Sequence, residues 1–210
     1  MAQVVALLGA ESTGKTTLAA EIGQALRAEG HDVAVVPEFL REFCDQHGRT
    51  PLVDEQAGIA AEQSRRIAEA AASHAVVIAD TSALMIAVYS DWVFGDPSLY
   101  DSALLTHATY DLTLLTALDL PWQADGLMRD GPQVREPVDQ RVRAALARGG
   151  LGYSVVGGTG TARLNAALAA VRHLLGRASA DDDAARNPRW QWQCDRCSDG
   201  DCERHLFKLG

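Results

Sequence analysis

Short apolar runs alternate with longer stretches of helical period along most of this chain. The runs cover residues 3–8, 31–37, 75–80, 111–117 and 153–156, and most are apolar throughout rather than at every second position. That pattern predicts strands buried on both faces of a parallel sheet. Between them, residues 15–28, 54–73, 83–93, 99–106, 137–147 and 161–175 place apolar side chains at helical spacing. Because strand and helix alternate, the expected fold is a doubly wound α/β domain, a parallel five-stranded sheet with right-handed crossovers. The period stops after residue 175. Residues 1–175 are therefore expected to form the domain, 176–189 an exposed linker carrying Asp181-Asp182-Asp183, and 190–210 a tail. A charged, solvated helix is the alternative for the linker.

Ligands of such sheets bind beyond the carboxyl ends of the strands, which makes the residues after each apolar run the informative ones. The first run leads into Gly9-Ala10-Glu11-Ser12-Thr13-Gly14-Lys15-Thr16, followed by Thr17 and a helical pattern. This is a complete P-loop in its proper strand-to-helix context, so it predicts a P-loop NTPase that binds ATP with Mg²⁺. Gly9 and Gly14 allow the backbone to approach the phosphates, whose charge is met by successive N–H groups and the helix N-terminus. Lys15 reaches the β- and γ-phosphates, and the Thr16 hydroxyl is a Mg²⁺ ligand. A Gly/Ser/Thr turn without ligand is the bland alternative.

The other strand ends supply an acceptor and a metal side. Glu38 follows the second run, where a carboxylate can take the proton from an attacking hydroxyl or bind the acceptor; Arg41, three residues on, shares its face if a helical turn begins there. A surface ion pair between them is the alternative. Asp80 ends the third run and complements Thr16 in the Mg²⁺ shell, or caps the next helix. After the fourth run, a segment rich in Gly and Pro carries Arg129 and Arg135, expected as lid cations on the transferring phosphoryl group, with Asp125 orienting one of them. After the fifth, Gly157-Gly158-Thr159-Gly160 lacks a P-loop lysine and is expected on the adenine side, with Arg163 stacking on the base. Tyr89 and Trp92 are candidates to stack on a flat cationic acceptor, or else pack in the core.

Charge and cysteine usage narrow the partners. The chain has 210 residues and a formal net charge of −9. An acidic balance opposes attraction to nucleic acid, no run approaches membrane-span length, and the start lacks the basic segment of a secretory signal, so a cytoplasmic location and a small-molecule substrate are expected. Cys194, Cys197, Cys202 and His205 form a C-x₂-C-x₄-C-x₂-H array in the tail, a candidate tetrahedral Zn²⁺ site expected to order it and offer a protein partner or a second copy a surface. Iron–sulfur chemistry, a redox pair or unliganded cysteines are the alternatives.

Together these residues resemble the ribosylnicotinamide kinase domain of the NadR family, among the AAA-type ATPase and kinase-like P-loop proteins. The resemblance is carried by the P-loop, Pro37-Glu38-Phe39 with Arg41-Glu42-Phe43, Asp80-Thr81, Phe94-Gly95, and Tyr110-Asp111-Leu112 through Pro121-Trp122, Asp125 and Arg129. It spans roughly residues 1–175 and does not reach the tail. It implies an ATP-dependent kinase acting on a small hydroxylated metabolite, a nucleoside such as nicotinamide riboside, in NAD salvage. Asp80-Thr81-Ser82 departs from the family's Asp-Thr-Asp, losing a carboxylate expected to bind sugar hydroxyls. Met85-Ile86-Ala87 also departs, and one residue is inserted before Arg129. The rival from another class is a nucleotide-dependent regulatory ATPase that switches a protein partner.

Overall fold

The structure is a computed structural model that describes residues 2–123 and 131–186, with side chains to residue 178. Five strands, β1 (Gln3–Leu8), β2 (Val33–Val36), β3 (Val76–Asp80), β4 (Leu112–Thr116) and β5 (Ser154–Val156), form one parallel sheet in the order β2-β3-β1-β4-β5. The helices are α1 (Lys15–Ala28), α2 (Phe39–His47), α3 (Gln56–Ser73), α4 (Ala83–Phe94), α5 (Tyr100–His107), α6 (Arg135–Arg148) and α7 (Gly160–Arg186). The expected doubly wound five-stranded architecture is present. Every residue of β3, and of β1 after Gln3, is buried, which is why these runs carry no polar alternation. None of the described helices is long and apolar enough to cross a membrane.

The chain divides into two compact units, residues 1–174 and 175–210. In the first, α1 buries one stripe, Leu18, Ala19, Ile22 and Leu26, as its spacing predicts. Helix α4 is different. Ala83 through Val88 are all buried, and the helix packs against α3, α5 and α6. Of the second unit, the described part is helical to Arg186, so residues 176–186 are helix, the alternative to the exposed linker. Alanine and arginine, both strong helix formers, make up six of these eleven residues, which helps carry the last turns without an apolar stripe.

Two local differences shape the site. Residues 31–37 yield only the four-residue β2, because Pro37 has no N–H for the ladder. Immediately afterwards the chain forms α2, an unanticipated short helix begun by Glu38 at its N-cap and ended by Gly48 at φ 65°. Its apolar Phe39, Leu40 and Phe43 pack onto the core cluster built around α4.

Candidate active site

Sheet order decides what surrounds the P-loop. Strand β1 lies between β3 and β4, with Leu7 opposite Asp80 and Leu8 opposite Leu115, so the loop leaves the sheet flanked by the ends of both neighbours. Gly9 takes φ 145°, and a Cβ there would sit 2.1 Å from Thr116 Oγ1. The Thr116 hydroxyl occupies that space, within 3.1 Å of Leu8 O and 2.7 Å of Thr13 Oγ1, while Thr13 donates to Ala10 O at 2.8 Å. Gly14, at φ 72°, turns the chain into α1. Lys15 Nζ donates to Gly9 O and Ala10 O at 2.8 and 2.9 Å, which keeps the ammonium over its own loop. Ser12 Oγ accepts from Gln123 N at 2.7 Å, tying the loop to the segment after β4.

Thr16 and Asp80, expected as the metal-side pair, meet directly. Thr16 Oγ1 donates to Asp80 Oδ2 at 2.5 Å. Asp80 is 2% exposed, and its Oδ1 has no hydrogen-bond partner among the described residues. A buried carboxylate oxygen left without a donor, beside a hydroxyl, fits a hard cation; Mg²⁺ takes one or two protein oxygens and completes its octahedron from waters and substrate phosphates. Accordingly, no group of three or more acidic, His or Cys side chains suited to a metal occurs among the described residues.

Glu38 faces this pair from β2. Its flanking peptide groups are both held by Gln63, buried in α3: Phe39 N donates to Gln63 Oε1 at 2.8 Å, and Gln63 Nε2 donates to Pro37 O at 3.3 Å. Arg41 Nε donates to Glu38 Oε2 at 3.0 Å, with the Glu38 side chain only 14% exposed. Burial pushes the Glu38 carboxyl above the ordinary range and the Asp80 charge adds to it, against the opposing pull of Lys15 and Arg41.

Lys15, Glu38 and Arg41 line one cavity of about 920 Å³, including its open mouth, within the roughly 300–1,000 Å³ typical of small-molecule sites. Its apolar wall includes Leu40, Met85, Tyr89 and Phe94, and the buried Glu11 and Thr81 line it too. Tyr89 lines this cavity and also packs on the core cluster, so both of its expected roles remain compatible with its place. Trp92 does not line it: it packs on the core cluster with the Arg141 guanidinium 4.7 Å from its ring centroid, and Arg141 pairs with Asp91 at 3.2 Å. Ser82 also turns away. Its Oγ caps α4 by accepting from Leu84 N at 3.3 Å and shares a hydrogen bond of 3.0 Å with buried His107 Nδ1, whose Nε2 lies 2.8 Å from Thr113 Oγ1. Where the family's carboxylate is lost, Ser82 thus has a structural role.

A second cleft, lined by Ser12, Gly14, Thr17, Leu120, Pro121, Gln123, Thr159 and Arg163, lies on the other side of the loop. Arg163 is at this cleft but not placed as a stacking platform. Its guanidinium is 7% exposed and donates to Thr13 O at 2.5 Å, to Gly158 O at 3.3 Å and to Asp119 Oδ1 at 3.4 Å, so it braces the loop from beneath. Arg135 differs from expectation as well. It is 8% exposed at the start of α6 and donates to Leu120 O at 2.9 Å, fixing the exit from β4 rather than standing free as a lid cation. Asp125 and Arg129, like Cys194, Cys197, Cys202 and His205, lie outside the described residues.

A family model described as an AAA domain matches residues 4–163. No curated protein matches the chain. Among solved structures, the fold is similar to NadR protein in complex with NAD and AMP-PNP, at a TM-score of 0.68 and 22% identity over 83% of this chain and 50% of that one. NadR in complex with NR gives a TM-score of 0.66 at 22% identity, over 82% of this chain and 50% of that one. Thymidylate kinase from Ehrlichia chaffeensis gives 0.59 at 15% identity, over 83% of this chain and 98% of that one. The chain thus spans about half the length of the NadR chains it resembles.

Proposed function

Because this chain belongs to the AAA domain family of P-loop proteins, we propose that it is an ATP-dependent kinase whose acceptor is a small hydroxylated metabolite, a nucleoside such as nicotinamide riboside. The observation that carries this reading is the single cavity shared by Lys15 of the phosphate loop and Glu38. A switch ATPase needs no chamber for a small acceptor against its P-loop lysine; a kinase does. The NadR and thymidylate kinase folds support the same class, and the NR complex supports a nucleoside acceptor.

In this reaction Glu38 accepts the proton of the acceptor hydroxyl, whose oxygen attacks the γ-phosphorus as the bond to the β–γ bridging oxygen breaks and ADP departs. A carboxyl pushed up by burial is a better base for that task than an ordinary one. Lys15 and the N–H groups opening α1 meet the charge on the phosphates. Thr16 and Asp80 would hold Mg²⁺, which would supply further positive charge there. Arg41 keeps the Glu38 carboxylate aimed.

The test is mass-spectrometric detection of a phosphorylated product from ATP, Mg²⁺ and a nucleoside panel that includes nicotinamide riboside. A product is expected with the wild-type protein, and Glu38→Gln should lose it, by roughly 10²–10⁴-fold in rate, while still binding ATP. ATP hydrolysis without acceptor, and no product from any panel member, would instead favour the regulatory ATPase.

A further inference from the structure

Two consecutive residues leave β3, and they divide between core and cavity. Ser82 commits its hydroxyl to Leu84 N and His107. Thr81, by contrast, lines the acceptor cavity with Lys15, Glu38 and Tyr89, is 1% exposed, and has an Oγ1 with no hydrogen-bond partner among the described residues. A buried hydroxyl without a partner is a standing free-energy cost, removed when a ligand supplies the missing bond. The backbone adds a second cost. Thr81 sits at φ 78°, a region that a β-branched residue rarely enters, and it is held there by its own N–H donating to Leu7 O at 3.1 Å and by the α4 cap that follows. Strain of this kind persists where the surrounding structure over-determines it, and it gathers at ligand-binding positions. Glycine would relieve the strain but would bring no hydroxyl.

Position says which part of a ligand Thr81 meets. It adjoins Asp80, which bonds Thr16, so it stands at the phosphoryl end of the cavity, whereas Val93 and Phe94 belong to the apolar stretch closing α4. The reacting hydroxyl belongs to Glu38, a base; a threonine hydroxyl at neutral pH donates or accepts a hydrogen bond and removes no proton. We infer that Thr81 is a specificity-determining residue whose hydroxyl bonds a second, non-reacting hydroxyl of the acceptor sugar, so that the protein selects a ribose over its deoxy counterparts. The inference rests on the kinase reading above. It puts a sugar contact one residue before the position at which the family's carboxylate is lost. A site built to bond a hydroxyl discriminates strongly against the analogue lacking it, because the buried partner is then left unpaired.

The experiment measures kcat/KM for a ribonucleoside that the wild-type protein phosphorylates, and for its 2′-deoxy and 3′-deoxy analogues, in wild type, Thr81→Val and Thr81→Ser. Thr81→Val keeps the branched shape and removes the hydroxyl. Wild type is expected to prefer the ribonucleoside over one deoxy analogue by at least about tenfold. Thr81→Val should lose that preference by losing activity on the ribonucleoside, with KM for ATP unchanged, and Thr81→Ser should restore it. A preference identical in wild type and Thr81→Val, or none in wild type, overturns the inference while leaving the kinase reading standing. Failure of wild type to phosphorylate any nucleoside overturns the reading first and the inference with it. If Thr81→Val does not fold, as judged by its melting transition, Thr81→Ala takes its place in the same comparison.

Discussion

Gln63 grips the backbone on both sides of Glu38, accepting from Phe39 N and donating to Pro37 O, so one fully buried amide in α3 sets where the carboxylate stands. This makes Gln63 a positioning residue: it reaches the reaction through Glu38 alone. Gln63→Leu keeps the volume but leaves a peptide N–H and a C=O unpaired, which costs about 1–3 kcal/mol of stability. The expected outcome is a kcat lower by roughly 10-fold or more, in line with misplacing a base by a fraction of an ångström, with KM for ATP little changed. Steady-state kinetics beside a urea titration check it. Unchanged kcat in a destabilised variant would leave Gln63 with a packing role only.

The way Glu38 is held also marks where sequence reasoning stops. The runs of β1 and β3 and the strand-to-helix P-loop were legible because burial on both faces leaves an uninterrupted apolar signature, and the meeting of Thr16 with Asp80 followed from the P-loop after β1 lying beside the carboxyl end of β3. Gln63 was not legible: an amide inside the polar run Glu62-Gln63-Ser64-Arg65-Arg66 looks like solvated surface until α3 is laid against Glu38. Trp92 shows a different limit. Helix α4 is apolar at every position from Ala83 to Tyr89, so its periodicity names no face, and only packing against α3, α5 and α6 decides that Tyr89 lines the cavity and Trp92 meets Arg141. Thr81 and Ser82 are separated by a single unusual φ that no apolar pattern encodes.

Asp80, which accepts a hydrogen bond from Thr16, is the carboxylate proposed for the metal side. Asp80→Asn keeps the shape and a hydrogen bond to Thr16 but removes the negative charge, so affinity for Mg²⁺ in the ATP complex should fall and more Mg²⁺ should be needed for half-maximal phosphoryl transfer. A loss of roughly 10²-fold in transfer rate at fixed Mg²⁺ is expected, the size of losing one electrostatic stabiliser. A Mg²⁺ titration of the initial rate tests this. An unchanged Mg²⁺ requirement would remove Asp80 from the metal side.

Gly9 leaves no room for substitution. Gly9→Ala would drive a methyl to 2.1 Å from Thr116 Oγ1 in a backbone region that L side chains rarely adopt, and Thr116 cannot swing away without releasing Leu8 O and Thr13. Backbone strain alone costs about 1–3 kcal/mol, and the displaced loop should no longer bind ATP. Thr116→Ala opens the space but not the φ of 145°, so the double variant should recover part of the stability and little of the binding. Thermal melts with and without ATP separate the two effects.

His107 gives the fold a pH dependence of its own. Burial holds its imidazole down to about 4, against 6.5 for an exposed one, while its two nitrogens serve Ser82 and Thr113. In the folded protein it is therefore neutral through the range in which an unfolded chain takes up a proton. The stability it contributes is complete above pH 6.5 and is lost as pH falls from 6.5 towards 4, by about 2 kcal/mol at pH 5 if the whole shift is realised. The carboxylates held down by arginine partners, such as Glu55 and Glu62 at about 2, begin to lose stability only below 4.5. Glu38, pushed up by burial, works in the opposite direction, since its folded form gains a proton more readily than its unfolded form as pH falls. A decline between pH 6.5 and 5 therefore belongs to His107. Urea titrations at pH 7.5, 6.5 and 5 should show that decline in wild type. His107→Gln, which has nothing to protonate there, should be less stable at pH 7.5 but nearly flat over the same interval. An equal slope in the variant would assign the decline to another group.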